Sequence, residues 1–203
     1  MNTPIGYSPL LDPSWGYIEK ISQEDFTAID WARMDRQRAE YYAKRQTIEV
    51  LRMLTAAIDD PSFGYMVNNY RHSLQSATMV MRDGHDEETI VVALLHDVGF
   101  TACPASHGEF AAALLRPYVH EKHTWMLERH AIFQDIHAPH RPGVDLNGRD
   151  RWRGHAHFEW AAEFVAKYDQ DAVDPNYDCA PIAVFEPMVR RVLARTPKRF
   201  PPV

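Results

Sequence analysis

The feature that most constrains the fold is an apolar run at positions 90–95, which is followed directly by His96 and Asp97. A run that is apolar on every side forms either a buried strand or a buried helix. Acidic residues at positions 86–88 precede the run, and acids favour the first turn of a helix. Because no partner strand is evident in the sequence, the pattern predicts a helix that is buried on all sides.

The rest of the chain has the same helical character. Apolar residues recur at spacings of three and four, and proline and glycine separate the periodic stretches. The sequence predicts an all-α fold with two parts, an N-terminal arm and helical extension over 1–60 and a helical bundle over 61–203. The arm covers 1–21, and a long loop covers 138–155. The predicted helices lie at 22–60, 64–82, 86–97, 106–115, 121–134, 156–169 and 181–192.

Composition and charge exclude several classes of function. The net charge is −6, with 22 basic and 28 acidic residues, so the chain lacks the basic footprint of a nucleic-acid-binding protein. The sequence contains no stretch of 18 consecutive apolar residues, so we expect no membrane partner. Positions 1–13 do not resemble a signal peptide. With only Cys103 and Cys179 as thiols, we expect a cytoplasmic protein with reduced cysteines. A homo-oligomer is compatible with these properties.

Six residues have side chains that bind metal ions, and they are distributed over successive predicted helices. Taken singly, each has an ordinary alternative, which is core packing for a histidine and helix capping for an aspartate. Taken together, four imidazoles and two carboxylates are enough for two six-coordinate metals with open positions, provided that one carboxylate bridges. This donor set suits iron, manganese or zinc. The six residues are His72, His96, Asp97, His107, His130 and Asp169.

The motifs around these residues resemble those of a known superfamily. They are RHSLQSA at 71–77, ALLHDVG at 93–99, SHGEFAAALLRPY at 106–118, YDQ at 168–170 and VDPNYD at 173–178. This order resembles the HD-domain superfamily, and its added histidines resemble the mixed-valent diiron oxygenase branch. The organophosphonate oxygenases are the more similar group, and myo-inositol oxygenase is a more distant one. The resemblance spans about residues 64–192 and implies an HD-domain helical bundle.

The resemblance implies a role for each of the six residues. His72, His96 and Asp169 would hold one iron ion, His107 and His130 would hold the other, and Asp97 would bridge the two. The implied cofactor is a mixed-valent Fe(II)/Fe(III) pair, with manganese or zinc as alternatives. In this family a substrate hydroxyl chelates one iron, and O2 is used to break a carbon–carbon or carbon–phosphorus bond. The implied partners are therefore O2 and a small hydroxylated molecule.

The chain departs from the phosphonate oxygenases at the positions that contact substrate. Phe100 replaces a histidine close to the phosphonate, and Gln134 replaces a lysine. Tyr65 matches a gating tyrosine, but the accompanying glutamate is missing, so the predicted substrate is not an aminophosphonate. Asp97 and Tyr65 are the predicted catalytic residues, and Phe100 and Gln134 are predicted substrate contacts. Arg153 and His155 are two further predicted contacts, for an anionic group, although a solvated loop would explain them equally well.

A two-metal phosphohydrolase that acts on a phosphate ester or a nucleotide is the alternative function. It would use the same six ligands, with both metals clamping the phosphate oxygens. The SHGE helix start at 106–109 and the tail at 168–178 favour the oxygenase. A regulatory metal-binding module without turnover is a third reading, against which the open coordination positions argue.

Overall fold

The computed structural model of the protein describes residues 14–198. Within this range all regular secondary structure is helical, which confirms the predicted all-α class. None of these helices has the length and apolar character needed to cross a membrane. The helices are α1 (Ala28–Thr55), α2 (Asn69–Arg82), α3 (Glu87–Leu95), α4 (His107–Leu115), α5 (Glu121–Leu127), α6 (His130–Gln134), α7 (Phe158–Phe164) and α8 (Ile182–Leu193).

The chain divides into two compact units, of which the first ends at Gln46 and the second begins at Thr47. The boundary falls inside α1, which ends at Thr55, before the predicted end at position 60. In the first unit, a 3₁₀ turn at Gln23–Asp25 precedes α1, and residues 14–22 have no regular structure. Most of the predicted arm, positions 1–13, lies outside the described residues.

Helix α3 lies at the centre of the second unit. The side chains at positions 91–95 are fully buried, and α2 and α8 both pack against the helix. Asp86 caps its N-terminus, because the Asp86 carboxylate accepts a hydrogen bond of 2.8 Å from the backbone N–H of Thr89. The predicted buried helix is therefore confirmed, and its last turn delivers His96 and Asp97 to the interior.

Two predicted helices have different boundaries in the structure. The helix predicted at 64–82 begins only at Asn69, because Phe63 (φ 48°) and Gly64 (φ 97°) adopt the left-handed conformation that ends regular structure. The helix predicted at 121–134 is interrupted after Leu127. Arg129 leaves the helical region with φ −128° and ψ −5°, so that α6 begins as a separate helix.

The segment predicted as one helix at 156–169 changes its winding before it ends. Helix α7 stops at Phe164, and a π-helical turn covers Val165–Asp169. The backbone N–H of Gln170 closes this turn by donating to the carbonyl of Val165 at 3.0 Å. Such wide turns occur often at functional sites, and this one ends in a predicted metal ligand. Helices α2 and α6 pack against the turn.

Candidate metal centre

The structure brings together all six side chains that the sequence assigns to metal binding. They form two groups, and within each group the ligand atoms lie within 4.8 Å of one another. Each comes from the end or the start of a helix or turn, apart from His72, which lies within α2. The first group is His72, His96 and Asp169, and the second is Asp97, His107 and His130.

Asp97 lies between the two groups and offers one carboxylate oxygen to each. Its Oδ1 is 3.3 Å from the Nε2 atoms of both His107 and His130. Its Oδ2 is 3.7 Å from Nε2 of His72 and 3.8 Å from Nε2 of His96. This arrangement suits a carboxylate that bridges two metal ions.

Backbone carbonyls fix which nitrogen each imidazole presents to the centre. In all four histidines, Nδ1 lies at hydrogen-bonding distance from a carbonyl oxygen, which can only accept. Nδ1 therefore carries the proton, and Nε2 of the neutral ring carries the lone pair. The Nδ1 atoms donate to the carbonyls of Ala172 (His72, 3.0 Å), Ala93 (His96, 2.7 Å), Pro104 (His107, 3.2 Å) and Leu127 (His130, 2.7 Å).

The Nε2 atoms approach one another so closely that a cation is needed between them. Nε2 of His72 is 3.0 Å from Nε2 of His96, and the same distance separates Nε2 of His107 from Nε2 of His130. Two lone pairs at this distance repel unless a proton or a metal ion lies between them. Oδ2 of Asp169 is buried and has no hydrogen-bond partner within residues 14–198, which is costly for an ionised carboxylate. The residues present therefore fit a pair of metal ions.

When no metal is bound, the carboxylates and the imidazoles of the centre shift one another's pKa values towards the charged forms. Burial by itself would lower the pKa of His96, but Asp97 and Asp169 outweigh it, and the pKa lies above its ordinary value. The pKa values of His72 and His130 are raised by the same balance. Burial would raise the pKa of Asp97, but the imidazoles of His96 and His130 hold it below the usual range. In the metal-free centre, protons therefore compete with a metal ion for these imidazoles up to a higher pH than at an ordinary histidine.

We expect metal ions to stabilise the protein more at about pH 8 than at about pH 6. The raised pKa values of His72, His96 and His130 give the metal-free fold a stability contribution that is complete below the ordinary histidine pKa. This contribution is lost as pH rises through the raised values, where protons also stop competing with metal. Thermal unfolding with and without Mn²⁺ at both pH values measures the difference. A metal-induced rise in Tm that is independent of pH would contradict the expectation.

Three of the six side chains are more exposed than the others, and they define the accessible side of the centre. His96, His130 and Asp169 are completely or almost completely buried. The side chains of His72, Asp97 and His107 retain 11–14% exposure. The accessible side therefore includes a member of each group and the bridging carboxylate.

Two of the predicted substrate contacts lie against metal-binding residues. The ring centroid of Phe100 is 5.3 Å from that of His107, which is one of the three more exposed residues of the centre. Gln134 donates a hydrogen bond of 2.5 Å from Nε2 to Oδ1 of Asp169. The structure therefore places Phe100 against His107 and Gln134 against Asp169, and the role of either residue in substrate binding stays a prediction.

The other three predicted contacts have their described interactions elsewhere. Tyr65 is 64% exposed, and its backbone N–H donates to Ser62. Arg153 pairs with Asp150 at 2.9 Å, and its side chain is 62% exposed. His155 stacks on Trp125 with ring centroids 4.4 Å apart, and it lines a surface cavity to which none of the six metal-binding residues contributes. Roles for these three residues at the centre remain predictions.

Gly108 is a residue of the site that the sequence reasoning did not single out. A Cβ atom at this position would lie 2.3 Å from the carbonyl oxygen of Leu127 and 3.0 Å from Cε1 of His130. Only glycine allows α4 to approach the end of α5 this closely. The sequence signal for this residue was a glycine directly after His107, at the second position of a helix. Glycine is unfavourable in a helix, so its presence there indicates a close contact.

Comparison of the sequence with models of protein families finds no match, and comparison with curated proteins finds none either. The resemblance to the HD superfamily therefore rests on the quoted motifs, and the chemistry of the centre has to be argued from its geometry. The geometry gives four imidazole nitrogens and two carboxylates in two groups that share Asp97, which can bind a pair of metal ions.

Proposed function

We propose that the protein is an HD-type non-haem diiron oxygenase that uses O2 to cleave a carbon–carbon or carbon–phosphorus bond of a small hydroxylated substrate. The observation that carries the proposal is the position of Asp97 between two groups of convergent imidazoles. A nitrogen and oxygen donor set without thiolate suits iron, and it also admits manganese or zinc. The motifs shared with the diiron branch favour iron.

The two groups differ in how many protein ligands they offer. The first has His72, His96 and Asp169 together with Oδ2 of Asp97. The second has His107, His130 and Oδ1 of Asp97, so it would leave more coordination positions for a substrate hydroxyl. The iron pair, when bound, would supply the activation of O2, and the electrons that reduce O2 would come from the substrate as its bond is cleaved.

Phe100 determines the kind of substrate that the accessible side accepts. Its ring lies against His107, so a substrate that reaches the second group meets an apolar surface. A charged ammonium or phosphonate group placed there would lose water without gaining a partner, which is costly. We therefore infer a substrate with a hydroxyl group next to an uncharged or apolar body.

The phosphohydrolase alternative uses the same ligands and differs in what surrounds them. Phosphate-ester hydrolysis requires donors or cations that stabilise the negative charge of the transferring group. The aromatic ring of Phe100 on the accessible side offers no such group, and this favours the oxygenase.

Electron paramagnetic resonance on iron-loaded, partly reduced protein tests the proposal. We expect a spin-coupled mixed-valent signal that changes when uncharged hydroxylated compounds are added, together with substrate-dependent O2 consumption. His107→Ala removes one of the three ligands of the second group and should abolish both responses. Two equivalents of redox-silent metal, combined with turnover of phosphate esters, would instead support the hydrolase.

A further inference from the structure

Gln134 connects the two groups of the metal centre through one short helix. Helix α6 begins at His130, a member of the second group, and ends at Gln134. Residues four positions apart lie on the same face of a helix. From that face Nε2 of Gln134 donates a hydrogen bond of 2.5 Å to Oδ1 of Asp169, which belongs to the first group.

The hydrogen bond acts on the oxygen of Asp169 that faces the other ligands. Oδ1 is 3.5 Å from Nε2 of His72 and 3.6 Å from Nε2 of His96. Oδ2 has no hydrogen-bond partner in the part of the chain that the structure describes, so Gln134 provides the amide hydrogen bond to this carboxylate. Bonds from N–H to an ionised carboxylate are shorter and stronger than neutral ones. A neutral amide supplies this bond without adding charge to the centre.

We propose that Gln134 is a positioning residue, which fixes the rotation of the Asp169 carboxylate and thereby sets the metal affinity of the first group. The terminal torsion of an aspartate is broad, so backbone geometry alone does not fix the direction of its oxygens. Asp169 is the last residue of the π-helical turn, with its side chain fully buried beside α6. The inference rests on the metal-binding part of the proposed function and not on the reaction.

Calorimetric titration of the metal-free full chain with Mn²⁺ tests this role. Wild type is expected to bind two equivalents. In Gln134→Met, which keeps the length but lacks the donor, the affinity for one equivalent should fall roughly 10- to 100-fold, as is usual when the hydrogen-bond partner of a ligand is removed. The affinity for the other equivalent should not change. Gln134→Glu should weaken the same equivalent further, because it places a second carboxylate against Asp169.

Gln75→Met is the matched control. Gln75 is a buried glutamine of α2 whose Nε2 donates to the backbone carbonyl of Asp171 at 3.4 Å, so the variant loses a buried amide without touching a ligand carboxylate. Its two affinities should equal those of wild type. The proposal is overturned if Gln134→Met binds Mn²⁺ like wild type, or if both variants weaken the same equivalent equally. If wild type binds no Mn²⁺, the proposed function itself fails, and the role of Gln134 falls with it.

Discussion

Asp97→Asn is expected to abolish activity and to leave the protein unable to retain a metal pair. Each oxygen of Asp97 lies 3.3–3.8 Å from two imidazole Nε2 atoms, so the side chain serves both groups. Asparagine keeps the shape of the side chain but removes its negative charge and replaces one oxygen by an amide N–H donor. This donor would hydrogen-bond an imidazole Nε2 lone pair that a metal ion needs. Loss of a ligand's hydrogen-bond partner lowers metal affinity roughly 10- to 100-fold, and loss of the ligand Asp97 itself should lower it by more.

Metal analysis after dialysis measures this effect, and Asp86→Asn provides the control. Asp86 caps the N-terminus of the same helix that delivers Asp97, and asparagine caps helices as well as aspartate does. The control makes the same chemical change on α3 and should retain two metal ions and full activity. Two metal ions retained by Asp97→Asn would show that Asp97 does not bridge.

The central helix and its chemistry could be predicted because the signals are local. The acids at 86–88, the apolar run at 90–95 and the adjacent His96 and Asp97 are contiguous, and burial of the run fixes where the two polar side chains must lie. That the other candidate ligands belong to the same metal centre was inferred from the order of motifs rather than from geometry. The structure brings these residues together, but periodicity alone does not contain that information.

The break between α5 and α6 could not be predicted because no glycine or proline marks it. The sequence from 121 to 134 continues a helical pattern, but in the structure the helix is interrupted at Arg129, whose side chain makes two local contacts and one with a distant residue. The guanidinium of Arg129 lies 4.8 Å from the ring centroid of Trp125 and 5.5 Å from that of Trp152, and it pairs with Glu128 at 2.6 Å. The break leaves the carbonyl of Leu127 outside the helical ladder, where it accepts the proton of His130 Nδ1.

The contact between Gln134 and Asp169 was equally inaccessible to sequence reasoning. The two residues are 35 positions apart, and their contact depends on the π-helical turn at Val165–Asp169, within which no proline or glycine occurs. The sequence could identify Asp169 as a ligand by its motif. It could not show that Gln134 donates a hydrogen bond to this carboxylate, and the substrate contact that it predicts for Gln134 stays a prediction.

Gly108→Ala is expected to destabilise the protein by about 1–3 kcal/mol, the usual effect of overpacking a close contact. The added Cβ would lie 2.3 Å from the carbonyl oxygen of Leu127, a backbone atom that no side-chain rotation can move away. Helices α4 and α5 must therefore separate. Because the same carbonyl accepts the hydrogen bond of His130 Nδ1, the separation should also weaken metal binding by the second group.

Urea unfolding of the metal-free protein and titration with Mn²⁺ measure the two effects of this substitution. Gly148→Ala is the control, because its Cβ would meet the side chains of Ile132 at 3.4 Å and of Asp145 at 3.5 Å, both ordinary contacts, and it should change neither quantity. The test is stringent because intrinsic helix propensity acts in the opposite direction, favouring alanine over glycine by about 1 kcal/mol within a helix. A variant of Gly108 that is more stable than wild type would mean that propensity outweighs the contact. The close approach of α4 to His130 would then not be what requires glycine here.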